Sequence, residues 1–266
     1  MRVCVTSPHA SNNGNSTLAM LIGLEFSSQN KMTCITHANP TSPTFYSYLS
    51  FRGFADKTST PSQIVKILKE GGLTGNEARD YCRRVNDSLE AFTNDSSNFT
   101  QDDMDFMFKY IAKYFPHEHV IFDDDGSDLD TTKKLIRVSD IIVLNITQNI
   151  KELGNFKEHR EEYFKLFQGS GKPLVVVINK YNSTYSSIKE VANWMGIKKP
   201  NGWVVLHDNP YITWATNHGK LNTLFNNIER KDTRVIELQS DLFKICTTLA
   251  KGKSTFTNTK SGGGRK

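Results

Sequence analysis

This sequence predicts an α/β fold: three α/β/α layers around a mainly parallel, doubly wound sheet, with a helical insertion after the second strand. Three observations carry that expectation. Short apolar runs rich in β-branched residues alternate with helical patterns along most of the 266 residues. Two of those runs, IIVLNI at 141–146 and LVVVI at 174–178, are almost wholly apolar, as strands buried on both faces must be. The first apolar run leads through a polar, glycine-containing loop, SPHASNNGNST at 7–17, into a helical pattern.

The elements follow in order. The first strand is expected at 2–6 and the first helix at 16–27, opened by polar residues suited to a helix start. The second strand is expected at 32–36. Residues 39–88 then interrupt the alternation and read as a mostly helical insertion. Within it, 60–69 begins TPSQ, with Pro61 at the first helical position, where no N–H is needed. Residues 76–85 also read as helix. A strand at 88–92 precedes a helix at 100–114, where Thr100 is followed by Asp102 and Asp103, charges that favour a helix start. Strands at 119–123, 140–146, 173–179 and 202–206 alternate with helices at 128–138, 150–167 and 184–195, and a helix at 233–250 closes the domain. The organisation expected is one α/β domain over 1–250 and a basic flexible tail over 251–266.

Bulk properties narrow the function classes. With 37% hydrophobic and 23% charged residues, a globular core is expected. No apolar run approaches the roughly 18–20 residues of a membrane span, and no apolar signal segment is seen, so the cytoplasm is the default location. The four cysteines (Cys4, Cys34, Cys82, Cys246) are scattered and support neither a zinc site nor a disulfide framework. Cys4 and Cys34 read as small core residues. The formal charge of +5 equals the charge of the tail KGKSTFTNTKSGGGRK, so the other 250 residues are neutral and do not make a basic nucleic-acid binder. The aromatic stretch FYSYLSFRGF at 45–54 reads as core of the insertion. Arg79, Arg83 and Arg84 read as a solvated helix face, with phosphate contact as the alternative. The 233–250 helix carries Val235, Leu238, Leu242, Ile245, Cys246 and Leu249 on one face and reads as packed on the domain.

The loop at 7–17 has the setting of a phosphate site: strand, glycine, helix N-terminus. Gly14 stands where such a loop needs glycine, and Ser16 and Thr17 where a hydroxyl would meet magnesium. The lysine position is Asn15. Taken alone, the loop reads as a turn that caps a helix rather than as a nucleotide site. Other pieces point to the crevice at the carboxyl ends of the strands. HVIFDDDGSDLD at 119–130 is an apolar run ending in Asp123, with Gly126 three residues on. LVVVINKY ends in Asn179 and Lys180, where base-recognising residues sit in many nucleotide proteins. HDNPYITWATNHGKL follows the last strand.

These pieces, in this order, resemble the ParA/MinD family of deviant Walker P-loop ATPases over roughly residues 1–228. The resemblance implies a P-loop NTPase-like fold and places Ser11, Asn12, Asn13, Gly14, Asn15, Ser16 and Thr17 on the nucleotide loop. It places Asn179 and Pro210 at the base, and Ser16 and Asp123 at a magnesium ion. It also marks departures. The lysine that crosses the family's dimer falls on Ala10, the phosphate lysine on Asn15, and the acids after the second strand on His37 and Asn39. Phosphoryl transfer depends on positioning and charge stabilisation, and one such group is commonly worth about 3 kcal/mol at the barrier. The resemblance with three groups missing implies a pseudo-ATPase for which ATP or ADP and magnesium are at most weak ligands. It implies a degenerate spatial-organisation, partition or assembly factor, of the kind that includes the TadZ/CpaE-like localisation proteins of pilus assembly. Such a factor acts through protein partners and as a homodimer that ATP does not regulate. Residues 251–266 would add weak contact with DNA or an anionic membrane. Two other readings stay open: a working ParA-type ATPase with unusual site chemistry, and a structural subunit of a larger complex.

Overall fold

The computed structural model describes residues 1–8, 13–38, 44–51, 61–92, 100–126, 128–198, 200–224 and 232–252. Its centre is an eight-stranded sheet: β1 (Arg2–Thr6), β2 (Thr33–His37), β3 (Arg83–Arg84), β4 (Leu89–Phe92), β5 (His119–Asp123), β6 (Ile141–Ile146), β7 (Leu174–Tyr181) and β8 (Val204–His207). The spatial order is β3-β4-β2-β5-β1-β6-β7-β8. Every neighbouring pair is parallel except β3–β4. The chain winds outward from β1 in both directions, and the crevice of such a sheet opens at the carboxyl end of its first strand.

The strand residues divide between two cores because alternate side chains leave opposite faces. Val3 and Val5 join Leu18, Leu21 and Ile22 of α1 (Asn15–Ser28) and Leu242 and Ile245 of α11 (Thr233–Ala250). Cys4 and Phe122 join the other core, with Phe108 and Ile111 of α5 (Gln101–Tyr114), Leu135 of α6 (Leu129–Val138) and Phe156 of α7 (Ile150–Glu158). The inward face of α11 matches the apolar face read from the sequence. α5 begins with the expected threonine: Thr100 accepts from the Asp103 N–H while the Asp103 carboxylate accepts from the Thr100 N–H.

Several boundaries differ from the sequence reading, each for a local reason. Helix α4 (Gly75–Arg79) stops well short of residue 85. Asn86 accepts from the N–H groups of Ser88 and Leu89 at 2.9 and 2.7 Å, and this asparagine turn folds 83–84 back onto β4 as the antiparallel edge strand β3. The region after the second strand therefore holds α2 (Thr44–Tyr48), α3 (Pro61–Lys69), α4 and a strand. Arg79 is not a free solvated cation, because it makes a bidentate pair with Glu90. The helix expected at 150–167 is two, α7 and α8 (Arg160–Gly169), broken at His159, whose ring and backbone N–H both turn to the Asn155 carbonyl. α9 (Ile188–Trp194) is shorter than expected. α10 (Pro210–Asn217) was not expected, although Asn209 as cap and Pro210 as first residue are ordinary start signals. No described helix is long and apolar enough to cross a membrane.

Gly75 tests how tightly the insertion is seated. A Cβ there would lie 1.9 Å from the Tyr114 carbonyl oxygen at the end of α5, a backbone atom that cannot rotate away. Gly75→Ala is expected to destabilise the protein by about 1–3 kcal/mol in urea denaturation, despite alanine's better helix propensity.

Candidate functional site

Strand register builds the floor of the crevice. Pairing of β5 with its two neighbours puts Asp123 level with His37 on one side and Val5 on the other. His37 and Asp123 end their strands at the carboxyl edge, and Val5 is one residue short of the end of β1. Asp123 is 2% exposed, and His37 Nδ1 donates to its Oδ2 at 2.9 Å. The proton must sit on Nδ1 for that contact to be favourable. Phe45 of α2 stacks on the His37 ring, with centroids 3.5 Å apart and planes 20° apart, and fixes its plane. The other carboxylate oxygen, Oδ1, faces the Asn15 side-chain amide at 3.5 Å, a long contact.

Asn15, the first residue of α1, is turned inward. Its amide donates to the Val5 carbonyl at 3.0 Å and to the Asp124 carbonyl. Gly14 precedes it with φ +70°, a conformation that favours glycine, and a Cβ there would stand 3.0 Å from Asn179 Nδ2. The carbonyl of Asn13 accepts from Asn179 at 2.9 Å and from Asn145 at 3.1 Å, and Asn13 itself donates to Ser7 Oγ. Four asparagines, two from the strands β6 and β7, one from the loop and one from the start of α1, thus hold the loop to the sheet.

Beside the loop lies a cavity of about 220 Å³. Gly14 and Thr17 form one wall, Asn179 and Lys180 another, and His207, Asp208 and Asn209 the third. Lys180 takes a left-handed φ of +52° at the irregular end of β7, and its Cε lies 3.6 Å from where a Gly14 Cβ would be. His207 Nδ1 donates to the buried Asp241 of α11 at 2.7 Å, and the His207 N–H donates to the same oxygen at 3.0 Å.

Asp124, one residue past the strand, is a second buried acid. Thr6 and Thr132 hydroxyls donate to its Oδ2 at 2.8 and 2.6 Å, and the Gly126 N–H reaches Oδ1 at 3.3 Å. Burial pushes its pKa up to about 6, and these neutral donors only partly oppose the rise. Among the described residues, no group of three or more His, Cys, Asp and Glu side chains is arranged to hold a metal ion.

Of the residues singled out in the sequence, Asn13, Gly14, Asn15, His37, Asp123 and Asn179 come together at this edge. Ser16 and Thr17 follow on α1, half-buried. Pro210 opens α10, and the cavity wall is made by its neighbours Asn209 and Ile212. Ala10, Ser11, Asn12 and Asn39 lie outside the described residues, as does the tail from 253 onward. The sequence reading missed Asn145, Asp124 and the His207–Asp241 pair; Lys180, read beside Asn179, lines the cavity with it. Asn145 had a signal: an amide inside the apolar run IIVLNI. Asp241 had none, since it sat among the polar residues of an amphipathic helix.

No protein-family model and no curated protein sequence matches this chain. Solved structures do. A ParA family ATPase from Chlorobium tepidum TLS superposes with a TM-score of 0.70 at 12% identity, over 93% of this chain and 98% of that one. The septum site-determining protein MinD of Pyrococcus horikoshii OT3, complexed with Mg-ADP, gives 0.65 at 10% identity over 94% and 97%. The MinC:MinD cell division protein complex of Aquifex aeolicus gives 0.65 at 11% identity over 97% and 99%. The chain has the fold of the ParA and MinD ATPases.

The buried Asp124 gives a pH signature. Its folded-state pKa lies above the ordinary 3.8, so the native state binds the extra proton and stability falls as pH rises from about 4 to about 6. Asp124→Asn removes that slope. Relative to wild type, the variant is expected to gain up to roughly 3 kcal/mol between pH 4 and pH 7, read from chemical denaturation at each pH.

Proposed function

We propose that this chain is a degenerate ParA/MinD-type protein: a spatial-organisation, partition or assembly factor that acts through protein contacts. In this reading it holds nucleotide weakly or not at all and does not hydrolyse it. The observation that carries the reading is the state of Asp123. Its Oδ2 is bound by His37 in a pocket where both side chains are under 5% exposed, and its Oδ1 faces Asn15. Magnesium at such a site needs carboxylate oxygens free to join an octahedral oxygen shell. Releasing Asp123 would strand the buried His37 ring that now donates to it. The lysine position holds Asn15, whose amide is spent on Val5 and Asp124 rather than aimed at a phosphate. The described residues at this edge therefore do not fit a magnesium–triphosphate, and no phosphoryl-transfer step is derived through one. Protein contacts as the mode of action draw support from the fold, which the MinD of the MinC:MinD complex shares.

One observation favours a second reading, a nucleotide-binding ATPase of unusual chemistry. The cavity bounded by Gly14, Asn179, Lys180 and Asn209 keeps room and polar groups at the base end of the site. Calorimetric titration with ATP and ADP in magnesium, beside a phosphate-release assay, separates the two. The expected outcome is no turnover above background, with or without DNA. Magnesium-dependent turnover that Asp123→Ala abolishes would overturn the proposal. Asn15→Lys is expected to raise phosphate affinity more than rate.

Assembly and surface binding follow the same logic. Any dimer should show the same sedimentation with and without ATP. Truncation after Ala250 should leave the thermal unfolding midpoint unchanged, because the last buried residue of α11 is Leu249. It should also abolish binding to DNA or anionic vesicles at low salt, since the neutral body has no net attraction to contribute. Equal binding by the truncated protein would move the attraction to the folded domain.

A further inference from the structure

The last helix has a second apolar face. The face of α11 that runs from Val235 to Leu249 is buried against the domain. On the opposite side, Ile236 and Phe243 stand 51% and 58% exposed. Exposed apolar side chains scattered singly are normal on a protein surface. These two are seven residues apart on one helix, close to two turns, and so make a single stripe about 10 Å long. Gln239 and Ser240 lie between them, both exposed. Glu237 and Lys244 flank the stripe, again seven residues apart and therefore on the same side of it. Their side chains are 50% and 65% exposed. Each has only a distant partner in its own chain. Glu237 lies 3.7 Å from His207 Nδ1, whose proton goes to Asp241, and Lys244 lies 4.0 Å from Asp241. Packing within the fold accounts for none of these four side chains.

We propose that this face is a homodimer interface, in which α11 pairs antiparallel with α11 of a second copy about a two-fold axis at Ser240. Charge complementarity sets the occupant and the register. A two-fold axis across two antiparallel helices matches positions equally far from it in opposite directions. With the axis at Ser240, Ile236 meets the partner's Phe243 and Glu237 meets the partner's Lys244, and each pair occurs twice. The same axis keeps every residue on its own flank of the helix pair. Glu237 and Lys244 share a flank, so they meet across it. Parallel pairing in register would instead set each of these charges against its like. On the other flank Gln239 faces the partner's Gln239, whose amides are self-complementary donors and acceptors. The small Ser240 at the axis lets the two helices approach to the usual 8–10 Å or so. α11 has 18 residues and is about 27 Å long. One pair of such helices covers less than the roughly 1,600 Å² of a standard interface, so the dimer is reversible and its population follows concentration. The interface lies outside the crevice. It gives a place to the homodimer of the proposed function and rests on that reading only for its indifference to ATP.

The test is sedimentation equilibrium of the full chain from micromolar to near-millimolar concentration, with and without ATP. The expected result is a monomer–dimer equilibrium that ATP does not move. Phe243→Ser should weaken it by at least about tenfold. Glu237→Lys and Lys244→Glu each place two like-charge contacts across the axis, and each should weaken it by roughly three- to tenfold. The double exchange of both residues should restore it. Ser240→Cys should give a disulfide-linked dimer on mild oxidation, because a residue on the axis faces its own copy at disulfide range. Ser28→Cys, exposed at the end of α1, should not. The four native cysteines are buried and do not compete. Far-ultraviolet circular dichroism checks that each variant is folded. A monomer over the whole range, a dimer that all these substitutions leave unchanged, or a double exchange that fails to recover association would overturn the proposal. So would a chain that stays monomeric and floats with anionic vesicles unless Phe243 is replaced, which would make this a membrane face. A dimer that forms only with ATP and ignores these substitutions would overturn the reading of the crevice as well, whereas a monomer indifferent to ATP overturns this interface alone.

Discussion

A buried carboxylate at the carboxyl edge of a parallel sheet is the constraint around which this crevice is arranged. The pairing of β2, β5 and β1 leaves no choice about where Asp123 lies: beside His37, opposite Val5, and out of water. A carboxylate there without a partner would cost several kcal/mol. His37 meets the need from within the sheet, and Phe45 holds the imidazole in place. The other side of Asp123 is faced by Asn15, whose stronger bonds go to Val5 and Asp124. Because Asn15 is also the first residue of α1, those bonds fix where the helix starts. Asn145 and Asn179 do the same for the loop by bonding the Asn13 carbonyl. The edge is held by neutral amides turned inward, whereas a phosphate loop works by leaving its donors outward.

Three buried aspartates show how the choice of partner sets the outcome. Asp123 has a histidine. Asp241 has a histidine ring and a backbone N–H, and through them links α11 to the wall of the cavity. Asp124 has hydroxyls and one backbone N–H and no cation, and burial lifts its carboxyl to about 6. Neutral donors satisfy the lone pairs of a carboxylate without compensating its charge. The same arithmetic bears on any anion entering the crevice. The histidine at its floor is already committed to Asp123, and the lysine of the cavity stands at the base end.

Much of this was legible in the sequence, for identifiable reasons. Strands buried on both faces write themselves as apolar runs, so β6 and β7 were plain, and capping residues announced α5 and the start of α3. The register that sets His37 against Asp123 was not legible, because pairing between residues so far apart leaves no local trace. Asn86 reversed a segment whose composition read as helix, since a single side-chain turn outweighs modest helix propensity.

The separation of fold from chemistry has a physical basis here. The sheet is held by the apolar faces of its strands against α1 and α11 on one side and α5 to α9 on the other, and none of that burial involves the loop's charges. At the start of α1, Asn15 spends its amide on the Val5 and Asp124 carbonyls, so the helix is tied to the sheet edge by neutral bonds. A fold kept by packing can therefore hold its sheet while the side chains at the carboxyl edge differ, so the fold by itself does not fix the chemistry of the crevice.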